Sequence, residues 1–398
     1  MTIPVFSISR LPRILFGSGQ LAELPKLARS YGHKALLVTG VRSFRSSSRW
    51  PWLTDNLTEQ GMIFEHMTVS DEPTPQLVDD AVAAFHGRNI GLVVAIGGGS
   101  VLDAAKAIAG LLPHGNSVMD HLEGVGRNIP YTGPATPFIA VPTTAGTGSE
   151  ATKNAVLSVR GEHGFKKSFR HDCLVPEYAI VDPDLLDTCP PDLIAADGMD
   201  AFTQLLESYV SARANPMTDA LAKSGMEAFC GGFVAALKGG DGEQARAGRS
   251  AIAYASLVSG VTLAQAGLGS VHGLAAPLGA FYPIPHGLAC GTLLAEATAI
   301  NIRALRERAP ENPALKKYAG IAELLTGHGF KTQMETCNAL VEQLHDWTER
   351  LALKRLGHFG VESAHIPKIV ANARGTSMQT NPVTLTDGEI GEILLTRI

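Results

Sequence analysis

With 398 residues the chain is too long for one simple core and implies two domains, each able to bury a sizeable interior. Apolar residues make up 45% and charged residues 18%, the balance of a folded enzyme. A net charge of −5, with no dense Lys/Arg run among aromatics, argues against a nucleic-acid partner. The five cysteines (Cys173, Cys189, Cys230, Cys290 and Cys337) are scattered without C-x-x-C spacing and read as reduced thiols, which points to a cytoplasmic location.

The N-terminal stretch MTIPVFSISRLPRILFG lacks a charged start, an apolar run and a small-residue cleavage site, so it predicts a pair of short strands instead of a leader. Apolar stretches are broken by Gly, Pro or charge before the roughly 20 residues a bilayer crossing needs, so no membrane partner is expected. From residue 19 to 185 helical and strand patterns alternate: QLAELPKLARSYG then KALLVTG, PQLVDDAVAAFHGRN then GLVVAIGGGS, then VLDAAKAIAGLL, with further strands in ATPFIAVPTT and EYAIVDPDLL. Such alternation predicts a parallel sheet with crossover helices. After LDTCPPD the apolar spacing becomes 3 and 4 in AFTQLLESYVSA, MTDALAKSGMEAFCGGFVAAL, GRSAIAYASLVSGVTLAQAG and ALVEQLHDWTERLAL, which predicts an all-helical second domain. The expected division is an α/β domain over 1–188 and a helical domain over 189–398.

Two glycine-rich turns follow strands. VVAIGGGSVLDAAKAIA places Gly97, Gly98, Gly99 and Ser100 before a helix that carries Asp103 and Lys106. Bare glycines let backbone approach a phosphate, and the helix N-terminus offers free N–H groups; a tight turn without ligand fits the same residues. VPTTAGTGSEAT brings Thr143, Thr144, Thr147 and Ser149 around Gly146 and Gly148, a second anion cradle. The first βα turn reads LLVTGVRS, so this is no ordinary Rossmann fingerprint, and no G-K-[ST] follows to make a P-loop.

In the second half DGMDAFTQLLESYVS sets Asp200 and Gln204 four apart on one helical face. GSVHGLAAPLGAFYPIPHGLAC separates His272 and His286 by a Pro/Gly-rich segment, so the two imidazoles are expected at the end of one helix and the beginning of another. With Asp200 they would make a set of two histidines and one aspartate with an open position, as catalytic divalent metals require. Singly, Asp200 also fits a cap or ion pair, and each histidine a hydrogen-bonded structural residue.

GGGSVLDAAKAIA, PTTAGTGSEAT, DGMDAFTQLLESYVS and HGLAAPLGAFYPIPHG, in this order and spacing, resemble the signature segments of the iron-containing (group III) alcohol dehydrogenases over about residues 10–390. The resemblance implies a dehydroquinate synthase-like pair of domains, an N-terminal dinucleotide-binding domain and an all-α C-terminal one, with catalysis in the cleft, and a homodimer. It implies hydride transfer between NADP or NAD and a small alcohol or aldehyde, assisted by a divalent metal (Fe or Zn). The matching metal positions are Asp200, Gln204, His272 and His286, with Gln204 where the family has histidine, which predicts weaker metal binding. A further family histidine near the reacting carbinol is matched by Ala276, which removes the usual proton relay. Matching cofactor positions are Gly40, Gly98, Gly99, Ser100, Thr143, Thr144, Thr147, Asn154 and Lys166, with Asp103 and Leu185 secondary.

Three readings of the changed site compete: metal retained with Gln204 or water as fourth ligand; metal-independent reduction of an activated carbonyl, as in the maleylacetate reductase branch; and a non-catalytic dinucleotide-binding homologue. They rank in that order, because a decayed site would not keep Asp200, His272, His286 and the whole nucleotide cradle. A phosphorylated-acid lyase would need a Lys/Arg cluster beside these motifs, and a serine hydrolase a nucleophile elbow, and neither is found. Gly40, where many family members carry an acidic residue, is followed by Arg42, Ser43 and Arg45, which favours a 2′-phosphate and hence NADP.

Overall fold

The computed structural model describes residues 3–398. Its first half runs β1 (Arg13–Phe16), α1 (Leu24–Arg29), β2 (Lys34–Gly40), α2 (Arg49–Glu59), β3 (Ile63–Val69), α3 (Pro75–Phe85), β4 (Leu92–Gly97), α4 (Gly99–Leu111), β5 (Phe138–Pro142), β6 (Asn154–Val159), β7 (Phe165–Arg170) and β8 (Tyr178–Val181). Six strands form one sheet in the order β1-β8-β5-β4-β2-β3, every pairing parallel, while β6 and β7 make a separate antiparallel hairpin. The predicted N-terminal pair of strands is one strand: residues 3–12 have no regular structure and only β1 joins the sheet, on β8.

Both faces of the sheet are covered, as a parallel sheet requires. Along β2, Leu36 and Val38 pack with α3 and α4, whereas Ala35 and Leu37 face the side of α1 and α2. β4 is buried at all six positions, which explains its unbroken apolar run. Because β4 lies between β2 and β5, with Gly97 opposite Pro142, the turns after these three strands open side by side at the carboxyl edge of the sheet. Open α/β sheets bind ligands at this edge.

The second half is helical: α5 (Pro191–Val210), α6 (Pro216–Lys238), α7 (Glu243–Ala266), α8 (Ser270–Phe281), α9 (His286–Arg308), α10 (Pro313–Thr326), α11 (Gln333–Arg350), α12 (Ile366–Asn372) and α13 (Asp387–Leu395). Capping boxes at Asn215/Thr218, Thr332/Glu335 and Thr386/Glu389 start α6, α11 and α13, satisfying amide donors that a helix end leaves free. α5 packs against α6, α7 and α9 and buries most of its length, including Asp200, Gln204 and Glu207. α9 is long and apolar enough to cross a membrane, yet 78% of its apolar stretch is buried inside the protein. His272 and His286 do sit on two helices, but His272 is near the start of α8, not at the end of a helix, and Pro277 is accommodated inside α8. The segment that breaks the path lies later, at residues 282–285.

The two halves meet backbone to backbone. Gly148 adopts φ +60°, and a Cβ on Gly260 of α7 would stand 2.0 Å from the Gly148 carbonyl oxygen. Any side chain there must push the 143–152 loop off α7. Gly260→Ala is therefore expected to destabilise the protein by about 3 kcal/mol, seen as a lower Tm by calorimetry. Gly231→Ala, on the exposed face of α6 with no neighbour within 4 Å, should instead stabilise by roughly 0.5–1 kcal/mol.

Candidate active site

The two glycine turns face each other. A Cβ on Gly99 would meet Thr147 Oγ1 at 2.7 Å, and one on Gly98 would meet Thr144 Cγ2 at 3.2 Å. They therefore build one cradle at the N-terminus of α4, where bare backbone and helix dipole suit a pyrophosphate. Lys106, fully buried, fixes the cradle from beneath, with Nζ 2.9 Å from both Ser149 O and Ser149 Oγ, 3.0 Å from Thr152 Oγ1 and 2.7 Å from Asn154 O. Burial lowers its pKa to about 8, against the raising pull of Asp103 and Glu150. Asp103 accepts from Ser149 Oγ at 2.5 Å and from Val156 N at 3.2 Å, so its carboxylate is spent on the scaffold.

The remaining cofactor candidates surround this cradle. Gly40 closes β2 beside Val101 of α4, and the loop after it runs against Thr143 and Leu185: Ser43, Phe44, Ser47, Thr143, Leu185 and Thr188 line one small depression. Arg49 secures that depression by pairing with Asp187 at 2.7 Å and donating to Asp184 O. Arg42, Ser43 and Arg45, on the same loop, are exposed. Lys166 pairs with Glu72 at 2.9 Å; both are largely buried, and both charges act on His286 across the cleft.

Below the cradle the helices bring Asp200, His272, His286 and Cys290 together, with ligand atoms all within 4.8 Å of one another. His272 Nε2 lies 3.1 Å from Asp200 Oδ1, and His286 Nε2 lies 3.9 Å from the same oxygen. Glu207, two turns after Asp200 on α5, reaches α8 with both oxygens: Oε1 accepts from Val271 N at 2.7 Å and Oε2 from His272 Nδ1 at 2.6 Å. Holding one proton on Nδ1 leaves Nε2 facing the cluster, where a metal would take the place of its second proton, the usual arrangement behind a metal-bound histidine. Gln204 is buried one turn from Asp200, its side-chain oxygen 2.8 Å from Ser259 Oγ on α7.

The charges ask for a cation. Burial works against charge on Asp200, yet the facing rings of His286 and His272 hold its carboxyl well below the usual carboxylate range. Burial also opposes charge on His272, but Cys290, Glu207 and Asp200 raise its pKa well above the ordinary histidine value. Burial and Lys166 push His286 down to about 4, so it is neutral and available as a donor at pH 7. Two buried carboxylates around one imidazole, with a second neutral imidazole and a sulfur beside them, fit a divalent metal by donor chemistry.

Glu207 and Cys290 escaped sequence reasoning. A glutamate at helical spacing reads as a solvated charge and a lone helical cysteine as a small apolar residue, and only the fold brings them to residues 65 and 18 positions away.

Residues 12–183 match the family model described as iron-containing alcohol dehydrogenase, and residues 194–398 match the C-terminal model of the same family. The chain is 33% identical over 392 residues to alcohol dehydrogenase 4 of Saccharomyces cerevisiae, covering 96% of each chain. Among solved structures it resembles a 1,3-propanediol oxidoreductase at TM-score 0.88 and 28% identity, over 99% of this chain and 100% of that one. It also resembles sulfoacetaldehyde reductase from Bifidobacterium kashiwanohense in complex with NAD+, at TM-score 0.83 and 27% identity over 99% of both.

The Glu207 contact predicts its own mutant. In Glu207→Gln one side-chain atom becomes a donor, so the side chain can no longer accept from both Val271 N and His272 Nδ1. The loosened His272 tautomer is expected to lower metal affinity about 10- to 100-fold in a metal titration, with the fold retained by circular dichroism.

Proposed function

The chain belongs to the iron-containing alcohol dehydrogenase family and is an NAD(P)-dependent alcohol dehydrogenase or aldehyde reductase, and we propose that it acts chiefly as an NADPH-using, metal-assisted reductase of small aldehydes. The observation that carries this reading is the placement of Asp200, His272 and His286 directly under the loop of the cradle, where a Cβ on Gly146 would meet Asp197, three residues before Asp200. Substrate, nicotinamide and metal donors then share one cleft.

Each residue has a physical task. The turns at Gly98–Ser100 and Thr143–Thr147 hold the pyrophosphate, and Asn154 and Lys166 line the nicotinamide side, with Lys166 positioned in the cleft by its ion pair with Glu72. Asp200, His272 and His286 would hold the divalent metal, which supplies Lewis-acid polarisation of the carbonyl oxygen, while the nicotinamide supplies the hydride. Glu207 keeps His272 in the donor tautomer. Ala276, half-buried one turn beyond His272 on α8, offers no proton. The proton then travels through water or ribose hydroxyls, which disfavours alcohol oxidation relative to aldehyde reduction.

Cofactor choice follows from the loop after Gly40. Without an acidic residue at Gly40 nothing repels a 2′-phosphate, and the exposed Arg42 and Arg45 attract it. The same reading makes the protein a cytoplasmic homodimer: edge strand β1 leaves Ile14 and Phe16 at 40% and 37% exposure, apolar edge surface that a second copy would cover, and all five cysteines are free thiols.

The test is a panel of small aldehydes and alcohols assayed in both directions with both nicotinamides. kcat/KM should be higher with NADPH than with NADH, and Arg42→Ala with Arg45→Ala should lower the NADPH value about tenfold while sparing NADH. Ala276→His should raise alcohol oxidation more than aldehyde reduction. A strong NADH preference in the native enzyme would refute the cofactor assignment.

A further inference from the structure

Resting on the reading that a divalent metal is held here, we propose that Cys290, not Gln204, supplies the fourth protein donor, giving a site of one aspartate, two histidines and one cysteine that is suited to zinc. Cys290 is one turn after His286 on α9, so the two side chains leave the same face of that helix. Its Sγ lies 3.6 Å from His272 Nε2 and 3.9 Å from His286 Nε2. Zinc bonds of about 2.0–2.1 Å to nitrogen, about 2.0–2.2 Å to oxygen and about 2.3 Å to sulfur give a tetrahedron with N–S edges of roughly 3.5 Å and N–O edges of roughly 3.3 Å. The observed N–S separations of 3.6 and 3.9 Å and N–O separations of 3.1 and 3.9 Å lie close to those edges. The four donors are thus nearly in place, and a small convergence would bring them to bonding distance, with a fifth position left for the carbonyl oxygen.

Gln204 is turned to another partner. Its oxygen is 2.8 Å from Ser259 Oγ, and Ser259 is itself 2.7 Å from Ser256 O within α7, so the amide ties α5 to α7. The donor that the family places at position 204, one turn after Asp200 on α5, is thus replaced by Cys290, one turn after His286 on α9. The change also alters the metal's character. One carboxylate and one thiolate neutralise a divalent ion, whereas one carboxylate and three imidazoles leave a positive charge, so carbonyl polarisation is weaker and soft-ligand ions are favoured over Mn2+ and Mg2+.

The test uses full-length protein stripped with chelator and titrated with Co2+ alone, followed by optical spectroscopy and metal analysis. The expected result is one bound equivalent with a near-ultraviolet thiolate-to-cobalt charge-transfer band. In Cys290→Ala and Cys290→Ser the band should vanish and affinity should fall at least about tenfold. Gln204→Ala should keep the band and bind within about threefold of the native protein. The cysteine variants assign the band to Cys290 rather than to the other four thiols, and if Cys290→Ala fails to fold, Cys290→Ser makes the assignment, while absence of the band in the native protein overturns it without any variant. Cobalt bound without a thiolate band, or binding lost in Gln204→Ala and intact in Cys290→Ala, overturns the assignment while leaving a metal site. Failure of the native protein to bind Co2+ at all overturns the metal reading itself and this inference with it.

Discussion

The 143–152 loop is pinned on two sides, and the active site depends on that constraint. From beneath, Lys106 and Asp103 of α4 gather Ser149, Thr152 and the start of β6. From above, Gly148 lies against Gly260 of α7 with no room for a side chain, and Gly146 lies against Asp197 of α5. A buried lysine is costly unless its donors are satisfied, and here every one finds an acceptor in this loop or its continuation. The proposed cofactor cradle and the candidate metal donors are thereby held at fixed separation by backbone contact, which hydride transfer over a short distance requires.

The helical half contributes a second fixed chain, from Val271 and His272 through Glu207 back to α5. α5 carries Asp200, Gln204 and Glu207 on successive turns and is buried along most of its length, so its polar groups face partners chosen by packing. Asp200 points to the cluster, Gln204 to Ser259 and Glu207 to α8. One helix thus sets the metal donor, the tie to α7 and the histidine tautomer together. The two departures from the family pattern, Gln204 and Ala276, fall on α5 and α8 around the same cleft. The first is answered by the proposed Cys290 donor.

Much of this was legible in the sequence because strong periodicity and punctuation coincide with burial. The unbroken apolar run of β4 and the Gly-Gly-Gly-Ser turn after it could only be a buried strand and a tight entry into α4. The change to 3 and 4 spacing after Pro190 and Pro191 marked the helical half. What stayed hidden lies where the pattern is weak or the contact is distant. β3, IFEHMTV, is an edge strand with most positions only half-buried, and β7, FKKSFR, carries three cations on a surface hairpin, so neither shows an apolar run. α2 begins at Arg49, at the end of the Ser/Arg-rich stretch after Gly40, where nothing in that stretch announces a helix. The histidines were readable as a pair on two helices, but Pro277 suggested a break that α8 tolerates. Cys290 and Glu207 gain their meaning only from tertiary contact.

Activity measured against bound metal tests the central claim most directly. Protein stripped by chelation and assayed for aldehyde reduction with saturating NADPH should be at least about a hundredfold slower than the metal-loaded enzyme. Activity should then return in proportion to added Zn2+ and level off at one equivalent per chain. Full activity in protein verified to be metal-free would contradict the account and assign the reduction to the cofactor and the cleft residues alone.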